Sequence, residues 1–359
     1  MDRVFCGENV ADSEAVLRRL LDANQEFALD GRGTTNHCPM ALTALQRMGA
    51  SGRRMQAFFE FWRQKYANPA LPASLVIEAA SYDKLLGDRE AFSSLQQVFR
   101  RRIEESSAEA VIKEVLLTVP FSPATTAFHA LIRLAYGLDA KHAGEIGAGL
   151  AAMIVANFPI SLAQKPSPRA KTVFDGFAVL SAALSGRVFA GRMITEKMRT
   201  VVQDEDFARC VPACPDSPDF LSDLAQLALA AYWQSKDFTV LHILTVVHAV
   251  RVIVDAVPEL DSEHFREQLW LALCVAYVSV GAPALQDLAT CEQALEVRVA
   301  QLLPWSDLFA LATMLNDDHA IKLTYSCYRE NMLRPSILYQ LSALDSINKA
   351  YRSQSGKSA

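Results

Sequence analysis

The sequence has few of the features that would direct it outside the cell or onto nucleic acid. Its first residues already include Asp2, Arg3 and Glu8, whereas a secretory signal carries an uninterrupted apolar segment. The formal net charge of −5 argues against the basic patch or stripe of a nucleic-acid-binding protein. Seven cysteines, an odd number without an export signal, indicate reduced thiols. We therefore expect a cytoplasmic protein without a nucleic-acid partner.

Long hydrophobic runs and alternating strand patterns are also scarce. The longest apolar run, residues 269–285, is interrupted by Ser279, Gly281 and Pro283. It falls short of the roughly 20 apolar residues that a bilayer span requires, so it predicts a buried core helix and no membrane partner. The hydrophobic fraction of 51% and the charged fraction of 21% are near the globular average, which excludes a disordered or fibrous chain.

Helical periodicity dominates the remainder of the chain. Apolar residues recur at helical spacing over residues 39–48, 53–66, 125–138, 238–256 and 318–330, among other segments. The predicted fold class is all-α, a single large multi-helix bundle-like domain over residues 1–351. Prolines at 212, 215 and 218 predict a loop or sub-boundary near residues 204–218. The Ser-, Gly- and Lys-rich tail, 352–359, is expected to be disordered.

Motifs for nucleotides, nucleophilic catalysis and zinc are missing or incomplete. The glycines at 144, 147 and 149 lie in a helical pattern without a preceding strand, so they are not a dinucleotide fingerprint. Neither a GxxxxGK[ST] loop nor a GxSxG elbow occurs. Cys210 and Cys214 have no second cysteine pair to complete a zinc site, which disfavours one.

The histidines are the most informative residues, because their settings differ. There are seven of them: His37, His129, His142, His242, His248, His264 and His319. His142 and His264 are surrounded by charged residues, which predicts that both lie at the surface. His37, His129, His242 and His248 lie in apolar or helix-start contexts, and His319 is intermediate.

A single histidine on an apolar face is more often a core residue bonded to a backbone carbonyl than a metal ligand. Four such residues in one chain favour convergence on one cation in the helical interior, because each buried imidazole needs partners. His242 and His248, six residues apart, lie about 120° apart around an ideal helix and roughly 9 Å apart along it. Either the helix is distorted, or the two rings reach the site from different heights, or one of them is not a ligand.

Lys322 is a further candidate ligand, because it shares a helix face with His319. A buried lysine favours the neutral amine, which can add carbon dioxide to become an anionic carbamate. That carbamate would supply the negative oxygen donor that histidines lack. The alternative is an amine that reaches solvent along its aliphatic stem.

Four segments of the chain resemble the questin oxidase-like family. They are residues 35–41 (TNHCPMA), 127–136 (AFHALIRLAY), 238–251 with His242 and His248, and 317–323 (DDHAIKL). They occur in the family's order, and the resemblance extends from about residue 13 to about residue 335. It implies an all-helical oxygenase that oxidises or opens the rings of anthraquinone-like aromatic polyketides. Cys38 stands where the family commonly has glycine.

The resemblance implies a set of iron ligands, namely His37, His129, His242, His248 and Lys322, with His319 in reserve. Arg133, Arg251 and Tyr136 are candidate catalytic residues, since they could pair with an anionic substrate or donate a proton. Phe128, Phe238 and Trp233 are candidate substrate-binding residues for an aromatic ring, although such residues are core by default.

The resulting hypothesis is a mononuclear non-haem iron oxygenase that uses Fe(II), molecular oxygen and an aromatic small molecule. The first alternative is a metal-free, NADPH-dependent Baeyer–Villiger-type oxidoreductase, as some family members have been described; the missing nucleotide motif weakens it. The second alternative is a non-enzymatic helical scaffold, in which the histidines are ordinary core residues.

Overall fold

The all-α prediction is confirmed by a computed structural model that describes residues 10–162, 168–295 and 302–355. The helices of the first half are α1 (Val10–Asn24), α2 (Cys38–Arg47), α3 (Gly52–Tyr66), α4 (Phe92–Glu105), α5 (Ala108–Thr118), α6 (His129–Asp139), α7 (Ala143–Val155) and α8 (Val173–Leu184). Those of the second half are α9 (Ile194–Val202), α10 (Glu205–Cys210), α11 (Phe220–Ser235), α12 (Phe238–Ala256), α13 (Glu263–Ser279), α14 (Leu288–Gln293), α15 (Trp305–Ala312), α16 (Asp318–Leu333) and α17 (Ile337–Ser355).

Within these described ranges, the named strands form one short hairpin between α1 and α2, and Phe27 and Pro69 form an isolated antiparallel bridge. Strands β1 (Asp30–Gly31) and β2 (Thr34–Thr35) pair antiparallel, with Asp30 opposite Thr35. Three short 3-10 helices, Ala79–Leu85, Arg89–Ala91 and Pro258–Leu260, complete the regular structure described. The hairpin matters because it precedes His37 and forms part of a cavity wall.

The central helix of the fold is α12, which packs against α6, α11, α13 and α16. By length and composition alone it could cross a membrane, but 72% of its apolar window is buried inside the protein. It is therefore a core helix. Helices α2 and α6 also contact each other, and α2 contacts α16, so four helices surround one point in the interior.

The glycines of α7 serve helix packing. A Cβ atom on Gly149 would lie 2.6 Å from the backbone nitrogen of Leu134 in α6, and one on Gly147 would lie 3.0 Å from the backbone oxygen of Gln96 in α4. Glycine is therefore required where the backbones approach this closely. This contact explains a pattern that resembled a nucleotide motif in the sequence.

The helix predicted over residues 125–138 begins later than expected, at His129. Thr126, Ala127 and Phe128 have φ values of 50°, 53° and 72°, a left-handed turn made without glycine. Each such residue costs roughly 1–2 kcal/mol relative to right-handed backbone. Propensity does not predict this turn, because the surrounding packing imposes it.

The two remaining predictions about chain organisation differ from the structure in detail. Residues 204–218 include α10 before a non-helical segment, and Trp270 of α13 donates a hydrogen bond to the Pro212 carbonyl. Helix α17 continues to Ser355 and so includes the first four residues of the predicted tail, 352–355. Residues 1–9 of the predicted domain and 356–359 of the predicted tail lie outside the described residues.

Candidate metal centre

Four histidine side chains meet where α2, α6, α12 and α16 converge. One ring nitrogen each of His37, His129 and His319 lies within 4.8 Å of the others. The His242 ring borders this group, with its centroid 4.7 Å from that of His129 and 5.4 Å from that of His319. The structure thus joins His319, held in reserve from the sequence, to three of the predicted ligands.

Every one of these rings is oriented through its Nδ1 atom. His37 and His319 share one carboxylate oxygen, Asp318 Oδ1, at 2.9 and 2.6 Å. His129 Nδ1 lies 2.6 Å from the Thr126 carbonyl oxygen, and His242 Nδ1 lies 2.7 Å from that of Phe238. Because all four partners are acceptors, Nδ1 carries the proton and Nε2 presents a lone pair.

The four Nε2 atoms are buried, and none has a hydrogen-bond partner among the described residues. Leaving a buried polar atom unpaired costs free energy, so four in one place require an explanation. Metal-binding histidines characteristically donate the other ring N–H to a carboxylate or a backbone carbonyl, as these four do. The residues present therefore fit a transition-metal ion bound through Nε2.

The electrostatics of the cluster favour the neutral form of His37, His129 and His242. Burial, followed by the charge of Lys322, lowers the pKa of His37 to about 3. Burial also lowers the pKa values of His129 and His242 well below the usual 6.5. Burial alone would raise the pKa of Asp318, but its contacts with His319 and His37 hold it well below its usual value. Neutral imidazole is the form that binds metal.

The four rings lie at or near helix N-termini. His37 is the residue that precedes α2, His129 is the first residue of α6, and His319 is the second of α16. His242 lies one turn into α12. Aspartate caps fix two of these starts: Asp237 accepts from Thr239 N in α12, and the Asp317 side chain accepts from His319 N in α16. The positive ends of four helix dipoles therefore face the cluster.

A cavity of about 500 Å³ leads from the surface to the four rings. Its walls come from the hairpin, from the left-handed turn before α6, from the start of α9 and from Phe238. Phe238, 52% exposed, contacts the rings of His242 and His319 at centroid distances of 4.8 and 4.6 Å. The volume lies in the range of small-molecule sites.

The chain matches the questin oxidase-like family over residues 34–327, most of its length. It belongs to that family. All four histidines of the cluster, together with Asp318 and Lys322, lie within the matched range. Comparison with curated proteins gives no match. Membership implies an oxidoreductase, and it suggests oxidase or oxygenase chemistry on polyketide-like substrates.

One of the three predicted substrate-binding residues of this questin oxidase-like protein lines the cavity, namely Phe238. Phe128 is fully buried within the left-handed turn. Trp233 is half-buried, and the Lys236 amine lies 3.6 Å above its ring. Neither residue lines this cavity.

The predicted catalytic residues lie elsewhere. Arg133 is buried and donates from Nε to Glu145 at 2.7 Å, and Arg251 pairs with Glu330 at 2.9 Å. The Tyr136 hydroxyl lies 3.5 Å from the Lys322 backbone oxygen. None of the three lines the cavity. The ion pairs support the structural interpretation of both arginines.

His248 is also outside the cluster, although it was a predicted ligand. Its Nδ1 atom lies 3.3 Å from the carboxylate of Glu330, the same side chain that binds Arg251. It is six residues further along α12 than His242, so a regular helix places it about 120° around the axis and roughly 9 Å along it, away from the site.

The two histidines that were expected at the surface differ in their exposure to solvent. His264 is exposed, as predicted. His142 is only 7% exposed: its Nδ1 accepts from Glu145 N at the start of α7, and its Nε2 lies 3.3 Å from Asp22. Charged neighbours in the sequence therefore misled the prediction, because a helix-capping histidine also lies among charges.

Sequence reasoning missed Asp318 and the turn at Thr126, which hold three of the four rings. A signal for Asp318 was present, since the Asp317–Asp318–His319 run places two carboxylates at a helix start beside a histidine. Thr126 gave no signal, because it acts through its backbone carbonyl. Lys322 was predicted, and it is only 2% exposed.

Proposed function

We propose that this questin oxidase-like protein is a metal-dependent oxygenase in which His37, His129, His242 and His319 hold one non-haem iron(II) ion. The observation that carries the proposal is the set of four buried Nε2 atoms that lack partners among the described residues, while every Nδ1 is engaged. When bound, iron(II) would supply the capacity to activate molecular oxygen for oxidation of an organic substrate.

Asp318 is proposed to act as the positioning residue of the centre. By accepting from both His37 and His319, it fixes their tautomers and raises the basicity of their Nε2 atoms. It also places one negative charge beside the site, which stabilises a bound cation.

Lys322 is proposed to add an anionic ligand in the form of a carbamate. Burial lowers the pKa of its amine to about 8, so a substantial neutral fraction exists near neutral pH. The neutral amine can attack carbon dioxide and form an N–C bond with loss of one proton. The product is a carboxylate-like oxygen donor in the vicinity of His37, His129 and His242, whose pKa values are lowered by burial and further by the charge of Lys322.

The substrate is proposed to be an aromatic, polyketide-like small molecule that enters the 500 Å³ cavity. Phe238 offers an aromatic face beside the His242 and His319 rings. Three of the four rings at the inner end of the cavity are at most 6% exposed. We place this reaction in the cytoplasm.

The test is oxygen uptake by the full-length protein, reconstituted with iron(II) and supplied with a panel of anthraquinones and naphthols. We expect substrate-dependent oxygen uptake in the wild type and in His264→Ala, a surface control, and its loss in His242→Ala. Uptake that requires NADPH and proceeds equally after chelation of iron would overturn the proposal and favour the metal-free alternative.

A further inference from the structure

The cavity wall carries two arginines and one acidic residue. Arg89 and Asp30 are ion-paired with each other, so their charges cancel. Arg192 is exposed, and its side chain forms no direct ion pair within the described ranges. The Glu196 carboxylate accepts hydrogen bonds from two backbone N–H groups, which lower its pKa, and the nearby charge of Arg192 lowers that pKa further. The rim of the cavity therefore has one guanidinium group that has a counter-charge nearby but is not directly paired.

Arg192 is presented by a tightly fixed backbone. It precedes α9, where the Glu196 carboxylate accepts hydrogen bonds from the backbone N–H groups of Arg192 and Met193. Gly191 has a φ of 142°, and a Cβ atom there would lie 2.6 Å from the Lys197 nitrogen. The backbone of Arg192 is thus held in place, and its exposed guanidinium group can contact a ligand in the cavity.

Helix N-termini surround the inner end of the cavity, where their partial positive charge lies close to the negative charge of Asp318. Helices α2, α6, α12 and α16 direct their N-terminal ends at this end of the cavity, and α9 begins in its wall. Partial positive charge at a helix N-terminus stabilises an anion. The four imidazoles, of which His37, His129 and His242 are buried and His319 is partly exposed, add no negative charge of their own, and the Asp318 carboxylate contacts two of them.

Apolar surface lies open beside this cation. Met193 is 51% exposed and Phe238 is 52% exposed, and both line the cavity with Ile194. Large apolar side chains in a cavity of this size are typical of a site whose ligand covers them.

We propose that the cavity binds a planar aromatic acid, whose ionised group pairs with Arg192 while its ring system covers Met193 and Phe238. This inference names the substrate class of the proposed oxygenase and in that sense rests on it. A guanidinium group binds a carboxylate through two parallel hydrogen bonds, which makes arginine selective for such an anion.

The experiment measures binding by isothermal titration calorimetry, with full-length protein as purified and no turnover. The ligands are anthraquinone-2-carboxylate and its uncharged methyl ester. We expect the wild type to bind the carboxylate roughly tenfold more tightly than the ester, as a charge-assisted hydrogen bond provides. Arg192→Gln should bind both equally, with its affinity for the ester unchanged.

Arg32→Gln is the matched control, because Arg32 is an exposed arginine of the hairpin that does not line the cavity. It should retain the wild-type preference. Equal binding of both ligands by the wild type, binding of neither, or equal weakening of both in Arg192→Gln would overturn the inference. Preferential binding of the carboxylate without iron-dependent oxygen uptake would contradict the proposed function but would still support this binding site.

Discussion

At the scale of single residues, the Asp318 carboxylate organises two of the four rings. Its Oδ1 atom lies within hydrogen-bonding distance of both His37 and His319, which come from opposite ends of the chain. The carboxylate is nearly buried, so its charge acts on the cluster with little screening by solvent. A substitution of Asp318 therefore perturbs the site without removing a proposed metal ligand.

We predict that Asp318→Asn lowers the affinity for a divalent metal by about 10- to 100-fold, because an amide accepts less strongly and carries no charge. The measurement is a competition titration with a chromophoric chelator. Asp317→Asn is the control: Asp317 caps the same helix through His319 N and Ala320 N, and asparagine caps a helix about as well, so stability and metal affinity should both change little. Equal affinity in wild type and Asp318→Asn would contradict the assigned role.

The lowered pKa values predict a pH dependence for the metal-free protein. His37 titrates near 3 when folded and near 6.5 when unfolded, so the unfolded chain binds more protons between these values. The free energy of unfolding should therefore decrease as the pH falls below about 6.5. Urea denaturation of chelated protein, from about pH 7 to pH 5, measures this decrease.

The matched variants for this pH dependence are His37→Gln and His264→Gln. The first removes one of the buried neutral imidazoles and should give a shallower decrease than the wild type, whereas the second changes an exposed ring and should not. A slope that is identical in all three proteins would show that the cluster does not cause the decrease.

The residue scale also shows what the sequence can and cannot predict about the site. His37, His129 and His242 were predictable, because each lies in an apolar or helix-start context. The sequence did not predict that His319, and not His248, joins these three rings. This outcome depends on which side of α12 faces α16 and on Glu330, which pairs with His248. Such an outcome is determined by tertiary packing.

At the scale of elements, the left-handed turn before α6 is the most unusual feature. It directs the Thr126 carbonyl at His129 Nδ1, and it lets Thr126 and Ala127 form part of the cavity wall. Strained backbone persists at functional sites when the surrounding structure determines it. Sequence patterns predicted a helix here, since nothing in a run of threonine, alanine and phenylalanine requires positive φ.

We predict that Ala127→Gly raises the free energy of unfolding by up to about 1 kcal/mol, since glycine relieves the positive-φ strain. Ala130→Gly, three residues later in α6, is the matched control and should lower it by about 1 kcal/mol. Chemical denaturation of the three proteins gives both values. Destabilisation of equal size in both variants would argue against a strained turn.

The contact between α6 and α7 sets the position of His129. We predict that Gly149→Ala destabilises the protein by about 1–3 kcal/mol, because its methyl group would lie 2.6 Å from the Leu134 backbone nitrogen. Displacement of α6 should also weaken metal binding. Denaturation and metal titration measure the two effects, and wild-type values of both would contradict this interpretation of the glycine.

At the scale of the whole molecule, the site lies where four helices begin, and a cavity of about 500 Å³ is lined by all four of its histidines. The helices themselves were predictable from apolar periodicity, and the family match over residues 34–327 agrees with the resemblance seen in four segments. Their convergence was not predictable, because it depends on contacts between segments as distant as α2 and α16. The helices are a property of local sequence, whereas the metal centre is a property of the assembled fold.

The most direct test of the metal centre is elemental analysis of untagged, full-length protein expressed in iron-supplemented medium. We expect a single iron ion per chain in the wild type and in His248→Ala, whose ring pairs with Glu330 outside the cluster. Iron should be lost in His319→Ala, with the helical circular dichroism spectrum retained. Iron that is retained by His319→Ala and lost from His248→Ala, or wild-type protein that takes up no transition metal, would contradict the proposed metal centre.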